Sequence, residues 1–389
     1  MLRDGKNVAV ERPSEIRSLT SLRGIAAILV VFVHANGHIT FGRYIDFGLG
    51  IWTNFIFEGH IWVDMFFILS GFVIALSGRS YFYGKSFRTG YSNFILARFA
   101  RIYPLHISLL CAFLALEAAK VLSSRGHEWF FSSPDSAWIL VNNVLLTHAW
   151  GGLHGLSLNY PSWSISAEWG AYLLFPLLLA LFYGRSMLAS LILIIASLAV
   201  LEASVGVLTG QLWVINLSYD FGVMRSLCEF SIGIVLCSLY SSRHHSSSLI
   251  NVFGTDGVCI ALAISAVISM NSRFPDIIVI GIFIGLVMSL ALNKGFCAAL
   301  LGRRAVHRLG QISYSIYMVH AFLLNVVFTV VDLSGIEIDK VEAWALSIVY
   351  FTLLIVVSEI SYRVIENPAR AFITRRWQHR ALSPIVQAT

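Results

Sequence analysis

The chain is 389 residues long, with 57% hydrophobic residues, only 12% charged residues and a mean hydropathy of +0.76. Soluble domains carry about 25% Asp, Glu, Lys and Arg, so a soluble enzyme is excluded, and intrinsic disorder, which needs low hydrophobicity, goes with it. The 27 Lys and Arg against 21 Asp and Glu leave a net charge of +6, but the basic residues are scattered between apolar runs rather than gathered on one domain, which argues against nucleic-acid binding.

A transmembrane helix needs about 20 mostly apolar residues. Runs of that kind are predicted at about 21–38, 59–78, 104–122, 166–183, 187–208, 223–241, 256–271, 276–293, 312–332 and 343–362. The fold class expected is therefore an all-α polytopic membrane protein of about ten transmembrane helices. Segment 136–150 is too short to span and is read as an interfacial or re-entrant helix, with an eleventh span as the alternative. No linker or repeat divides the chain. It is read as a cytoplasmic N-terminal segment 1–20, one membrane domain 21–362 and a basic cytoplasmic tail 363–389.

Charge sets the expected sidedness. With the N-terminus inside, Arg17, Arg79, Arg88, Arg98, Arg101, Arg303, Arg304, Arg308, Arg370, Arg375 and Arg376 all fall inside, whereas the outer loops hold Arg43, Arg125, Arg273 and Lys340. The loop before the last span is acidic, with Asp332, Glu337, Asp339 and Glu342. The positive-inside rule then places both termini in the cytoplasm. Cys111, Cys228, Cys237, Cys259 and Cys297 all lie in or beside apolar runs without a CxxC pair, so neither a disulfide framework nor a zinc site is expected.

Ionisable groups inside a span cost roughly 2.5–3.5 kcal/mol each on the insertion scale and usually face a cavity or a partner. His34, Asp64, Glu168, Glu202, Glu229, His320 and Glu359 stand out. In the first span Arg23 and His34 are eleven residues apart, which returns them to within roughly 20° of one helix face about 16 Å apart along the axis. Asp64 enters the second span from outside, and Ser70 and Gly71 lie near its middle, where a small residue permits close backbone approach. In FILARFARIYPLH, Arg98 and Arg101 share one face of a short helix predicted to stop before Pro104. Two guanidiniums so placed can grip phosphates bidentately, although ordinary positive-inside charge explains them equally well. NYPSWSISAEWGAYLLFP puts Ser164 and Glu168 on one face, with Trp163 and Trp169 where an interfacial aromatic belt would lie. His320, about eight residues into its span, is a second polar lining residue.

Together these segments resemble acyltransferase family three, the OafA-like integral-membrane O-acyltransferases. The resemblance rests on the R-x10-H pairing of Arg23 and His34, VDMFFILSGFVI, the RFAR pair before IYP, WSISAEW, SYSIYMVH and the closing YRVIENP, in the family's order over residues 18 to 370. It implies an acyl-CoA-dependent O-acyltransferase with His34 as the essential histidine, Arg23 as its motif partner, and Arg98 and Arg101 as the pair associated with the acyl-CoA donor. Glu168 would be a site acid. Apart from the resemblance, the polar and aromatic placement of Asp64, Trp163, Ser164 and His320 makes them the candidates to meet substrate. The resemblance further implies acetyl-CoA or another short acyl donor, no metal, and a glycan or glycolipid acceptor. Membrane lipids and proteins of polysaccharide assembly are the expected partners, and the bacterial inner membrane the expected location. The SGNH hydrolase-like domain fused to some relatives is not expected here. A multi-pass transporter or glycolipid flippase is the rival reading, in which the same intramembrane groups would bind or couple substrate.

Overall fold

The computed structural model describes residues 15–37, 53–84, 86–122, 130–156, 158–210, 215, 217–242, 251–335 and 339–386. Residues 1–14, Arg43, Arg125 and Glu337, invoked above for domain bounds and sidedness, lie outside them. The described residues contain helices and no β-strand. In chain order these are α1 (Arg17–Gly37), α2 (Trp62–Gly78), α3 (Phe87–Leu122), α4 (Ser136–Leu145), α5 (Trp163–Phe182), α6 (Met187–Thr209), α7 (Gly222–Ser241), α8 (Asp256–Asn271), α9 (Asp276–Leu292), α10 (Arg304–Gln311), α11 (Ser313–Ser334), α12 (Lys340–Ser361) and α13 (Asn367–Val386). Short α-helices at Thr53–Phe57 and Phe296–Leu301 and four 3₁₀ helices also occur among the described residues.

Eight helical stretches among the described residues are long and apolar enough to cross a membrane: Arg17–Ala35, Asn54–Tyr81, Phe87–Leu122, Tyr160–Phe182, Met187–Thr209, Gly222–Ser241, Ser313–Val331 and Val341–Trp377. The chain is an all-α polytopic membrane protein. The remaining two predicted spans are α8 and α9, helices of 16 and 17 residues, which rise only about 25 Å against a hydrocarbon core of about 30 Å. Segment 136–150 contains only the ten-residue α4, closed by Leu146 in the left-handed conformation.

Burial grades these helices. α7 is buried along nearly its whole length, whereas α6 presents Leu188, Leu191, Ile192 and Ile195 outward and α12 presents Ile348 and Val349. Apolar residues facing outward are what lipid contact allows, because lipid tails are as apolar as the core. A very close contact joins α2 to α7. A Cβ on Gly71 would lie 2.0 Å from the Phe230 carbonyl oxygen, and one on Gly233 would lie 2.2 Å from that of Ile68. Glycine at both positions lets the two backbones touch.

α1 is fixed by hydroxyl bonds to its neighbours, from Ser18 Oγ to the Leu290 carbonyl at 2.8 Å and from Ser21 Oγ to that of Leu301 at 2.6 Å. Just before it, Glu15 accepts from Thr20 Oγ1 at 2.8 Å and meets His307 Nε2 of α10 at 3.1 Å. Burial opposes the charge on Glu15, but these hydrogen bonds outweigh it and hold the carboxyl below its ordinary pKa.

Two proline-containing segments differ from a simple reading. The helix bearing Arg98 and Arg101 does not stop before Pro104: α3 runs through it for 36 residues. In hydrocarbon a break would strand several carbonyls without water, so continuing the helix, which leaves only the Ala100 carbonyl without its N–H, costs less. Tyr314 Oη donates to the Ile102 carbonyl, and Ser108 Oγ to that of Pro104 at 2.8 Å. Beyond α12, the chain passes through one π-turn, Tyr362–Glu366, directly into α13. Pro368, which lacks an N–H and crowds the preceding turn, explains why the helix widens there, and the π-turn turns Glu366 inward, where it is 1% exposed.

Candidate active site

α1, α2, α3, α5 and α11 line a cavity of about 130 Å³. Arg23, Arg98, Arg101, Ser164 and Glu168 all line it, together with Ser70 and Tyr317. The structure thus gathers five of the sequence-selected residues from three helices into one wall. Arg23 Nε donates to Ser313 Oγ at 3.2 Å, and Ser70 Oγ donates to a carboxylate oxygen of Glu168.

The two arginines of α3 are not equivalent. Arg101 forms an ion pair with Glu366, which also accepts from Ser315 Oγ at 2.9 Å, and its guanidinium lies 5.5 Å from the Tyr314 ring centroid. Arg98 rests near the Phe94 ring at 5.9 Å, and its buried Nε makes no hydrogen bond to any described residue. A buried donor without a partner costs on the order of 1–3 kcal/mol, and an anionic ligand in the cavity would satisfy it.

His34 and His320 lie outside the cavity lining and touch each other. His320 Nε2 is 3.1 Å from His34 Nδ1, and the ring centroids are 5.0 Å apart with 21° between planes. The Tyr160 ring meets His34 edge-on at 5.1 Å. His320 Nδ1 is 2.5 Å from the Tyr317 carbonyl oxygen. Tyr317 separates cavity from histidine pair: it lines the one, bonds the other, and receives the hydrogen bond of Ser164 Oγ on its hydroxyl at 2.8 Å.

Asp64 and Trp163 are placed differently from Glu168. Asp64 receives Arg225 Nε at 2.6 Å and Nη2 at 2.5 Å, and Trp163 lies over the same guanidinium at 5.4 Å. Neither lines the cavity. Arg225 and Glu366 were not singled out from sequence. An arginine and a glutamate four residues apart inside the run 223–241 could have flagged the first, and the buried glutamate of YRVIENP the second. Among the described residues one group of metal-type ligands, Glu58, His60 and Asp276, comes together, away from the cavity. Arg273 holds Glu58 at 3.3 Å and the Ile215 N–H holds Asp276 at 2.6 Å.

A polytopic helical protein with a histidine pair beside an arginine-lined cavity defines a class consistent with what the comparisons find. The family model described as an acyltransferase domain matches residues 16–363, and the chain belongs to that family, acyltransferase family three. It is similar to the acyltransferase MdmB of Streptomyces mycarofaciens, 26% identical over 94% of each chain. It is also similar to protein 2 of the picA locus of Rhizobium radiobacter, 34% identical over 26% of this chain and 46% of that one. No solved structure matches it. The chain is thus an integral-membrane acyltransferase.

Proposed function

We propose that the protein transfers an acetyl or other short acyl group from cytoplasmic acyl-CoA to a hydroxyl of an extracytoplasmic or lipid-linked glycan, in a bacterial inner membrane, with both termini cytoplasmic. The observation that carries this reading is the placement on one helix of Arg23, in the cavity wall, and His34, in the histidine pair. The donor phosphates meet Arg98 and Arg23 at the arginine-rich end. Glu168, fixed by Ser70, accepts from amide N–H groups of the pantetheine arm, and the thioester passes Ser164 and Tyr317 to reach His34. Asp64 and Trp163 support the acceptor side through Arg225.

Transfer needs a base for the alcohol, or a nucleophile to carry the acyl group, and stabilisation of the oxyanion. In direct transfer the acceptor O–H proton passes to His34, the oxygen attacks the thioester carbonyl, the C–S bond breaks, and the sulfur leaves with that proton as free thiol. In a relay His34 attacks the thioester carbonyl, the C–S bond breaks and the sulfur leaves with the imidazole N–H proton as free thiol; the acceptor oxygen then attacks the acyl-imidazole, the C–N bond breaks, and the acceptor proton returns to the imidazole. Membership of an acyltransferase family favours either route over transport.

Purified protein in lipid nanodiscs, given radiolabelled acetyl-CoA and lipid-linked glycan, tests the reading. Acceptor-bound label and free thiol should appear in equal amounts, and His34→Ala should lower the rate by about 10²–10⁴-fold, the usual yield of general-base catalysis, while donor binding persists. Near wild-type transfer by folded His34→Ala would remove His34 from the chemistry. Label appearing on His34 with donor alone would select the relay.

A further inference from the structure

We infer that His320 is a positioning residue that fixes the tautomer of His34, so that the nitrogen performing the chemistry is His34 Nε2. The inference rests on the acyl-transfer reading given above and deepens it.

A carbonyl oxygen can only accept, so the 2.5 Å contact between His320 Nδ1 and the Tyr317 carbonyl places a proton on Nδ1. A neutral imidazole has one N–H, and His320 Nε2 is therefore an acceptor. Its neighbour at 3.1 Å, His34 Nδ1, must then be the donor. With Nδ1 of His34 carrying the proton, the lone pair of a neutral His34 resides on Nε2. The two rings are nearly parallel, with 21° between planes and centroids 5.0 Å apart, and the Nε2 to Nδ1 distance of 3.1 Å is the nitrogen contact between them.

The chain of bonds is anchored at each end. Tyr317 Oη donates to the Pro161 carbonyl at 3.0 Å, and Tyr350 Oη donates to the His320 carbonyl at 3.2 Å. His320 itself is fully buried and does not line the cavity. A histidine needed only for packing would be satisfied by the Tyr317 carbonyl; here its second nitrogen is committed to the residue assigned the chemical step. The arrangement does with an imidazole what a carboxylate does for histidine in hydrolytic triads, where the wrong tautomer costs about 10⁴-fold in rate. During transfer the acceptor proton moves to His34 Nε2, the positive charge is shared along the bond to His320 Nε2, and the proton leaves from His34 Nε2 to the thiolate. His320 is neutral at the start and at the end.

The test compares His320→Leu, which removes the acceptor, with His320→Gln, whose amide oxygen can accept from His34 Nδ1. Each is purified in nanodiscs, its melting temperature is taken, and kcat, KM for acetyl-CoA and the pH–rate profile are measured. His320→Leu should lose about 10²-fold or more in kcat, with donor KM within about threefold and a displaced limb of the profile. His320→Gln should regain at least tenfold of that loss, a recovery that a purely structural role would not produce. His34→Ala/His320→Leu should be no slower than His34→Ala, as expected of residues acting as one unit. If His320→Leu does not fold, His320→Met takes its place. A folded Leu or Met variant turning over near the wild-type rate, or a Gln variant no faster than it, overturns the inference. His34→Ala separates the two levels: an inert His34→Ala beside a normal His320 variant sinks only this inference, whereas an active His34→Ala sinks the underlying assignment.

Discussion

Arg225 grips both oxygens of Asp64, at 2.6 and 2.5 Å, and neither side chain is more than 2% exposed. The pair joins α7 to α2 in the most buried part of the molecule, with Glu229 a further 3.9 Å from Arg225 Nε. Buried ion pairs add little net stability, but removing one partner leaves a charge that nothing compensates, at about 3–5 kcal/mol.

Arg225→Met should therefore destabilise the protein by about that amount, seen as a lower melting temperature and loss of monodisperse protein in detergent. Asp64→Asn combined with Arg225→Gln should recover much of it. If Asp64→Asn alone leaves melting unchanged and weakens only acceptor affinity, Asp64 is an acceptor ligand and not a strut.

Arg98 and Arg101 should separate in their phenotypes. Arg98→Gln is expected to raise the dissociation constant for acetyl-CoA about tenfold or more, the loss of a charge-assisted contact, at normal abundance. Arg101→Gln should instead lower abundance by orphaning Glu366, and Glu366→Gln should restore it. Isothermal titration with acetyl-CoA and quantitative blotting of membranes read the two effects, and identical behaviour of the two variants would contradict the asymmetry.

The α2–α7 crossing admits no side chain at Gly71 or Gly233. Overpacking commonly costs about 1–3 kcal/mol, and here the clash is with backbone, so Gly233→Ala should reach the upper end of that range and Gly233→Leu should abolish folded protein. Gly257, whose Cβ would meet nothing within 4 Å, serves as the control, and equal thermal stability of Gly233→Ala and Gly257→Ala would refute the close approach.

Sidedness is checked by cysteine labelling in intact cells. Arg273→Cys should react with an impermeant maleimide and Arg304→Cys only after permeabilisation. The reverse pattern would invert the proposed topology and with it the side from which the donor enters.

The apolar runs were legible because lipid demands a long, uncharged segment whatever the fold, and all ten meet a helix in the structure. The shared face of Arg23 and His34 followed from helical periodicity alone. What spacing could not supply was pairing across the chain: the partner of Asp64 lies 161 residues away, and that of His34 lies 286 away. Local rules also misplaced the start of the third span. Pro104 removes only the N–H that would bond the Ala100 carbonyl, and α3 runs on through it because a break in hydrocarbon would strand several carbonyls instead of one.

The Arg101–Glu366 contact has a consequence for biosynthesis. Arg101 enters the bilayer with α3, whereas Glu366 leaves the ribosome only after nearly every other helix has been made. At about 5–20 residues per second, that interval is on the order of tens of seconds, during which a guanidinium destined for burial has no native counter-ion. The Arg101 side of the cavity therefore gains its native ion pair only when the π-turn delivers Glu366, late in the synthesis of each molecule.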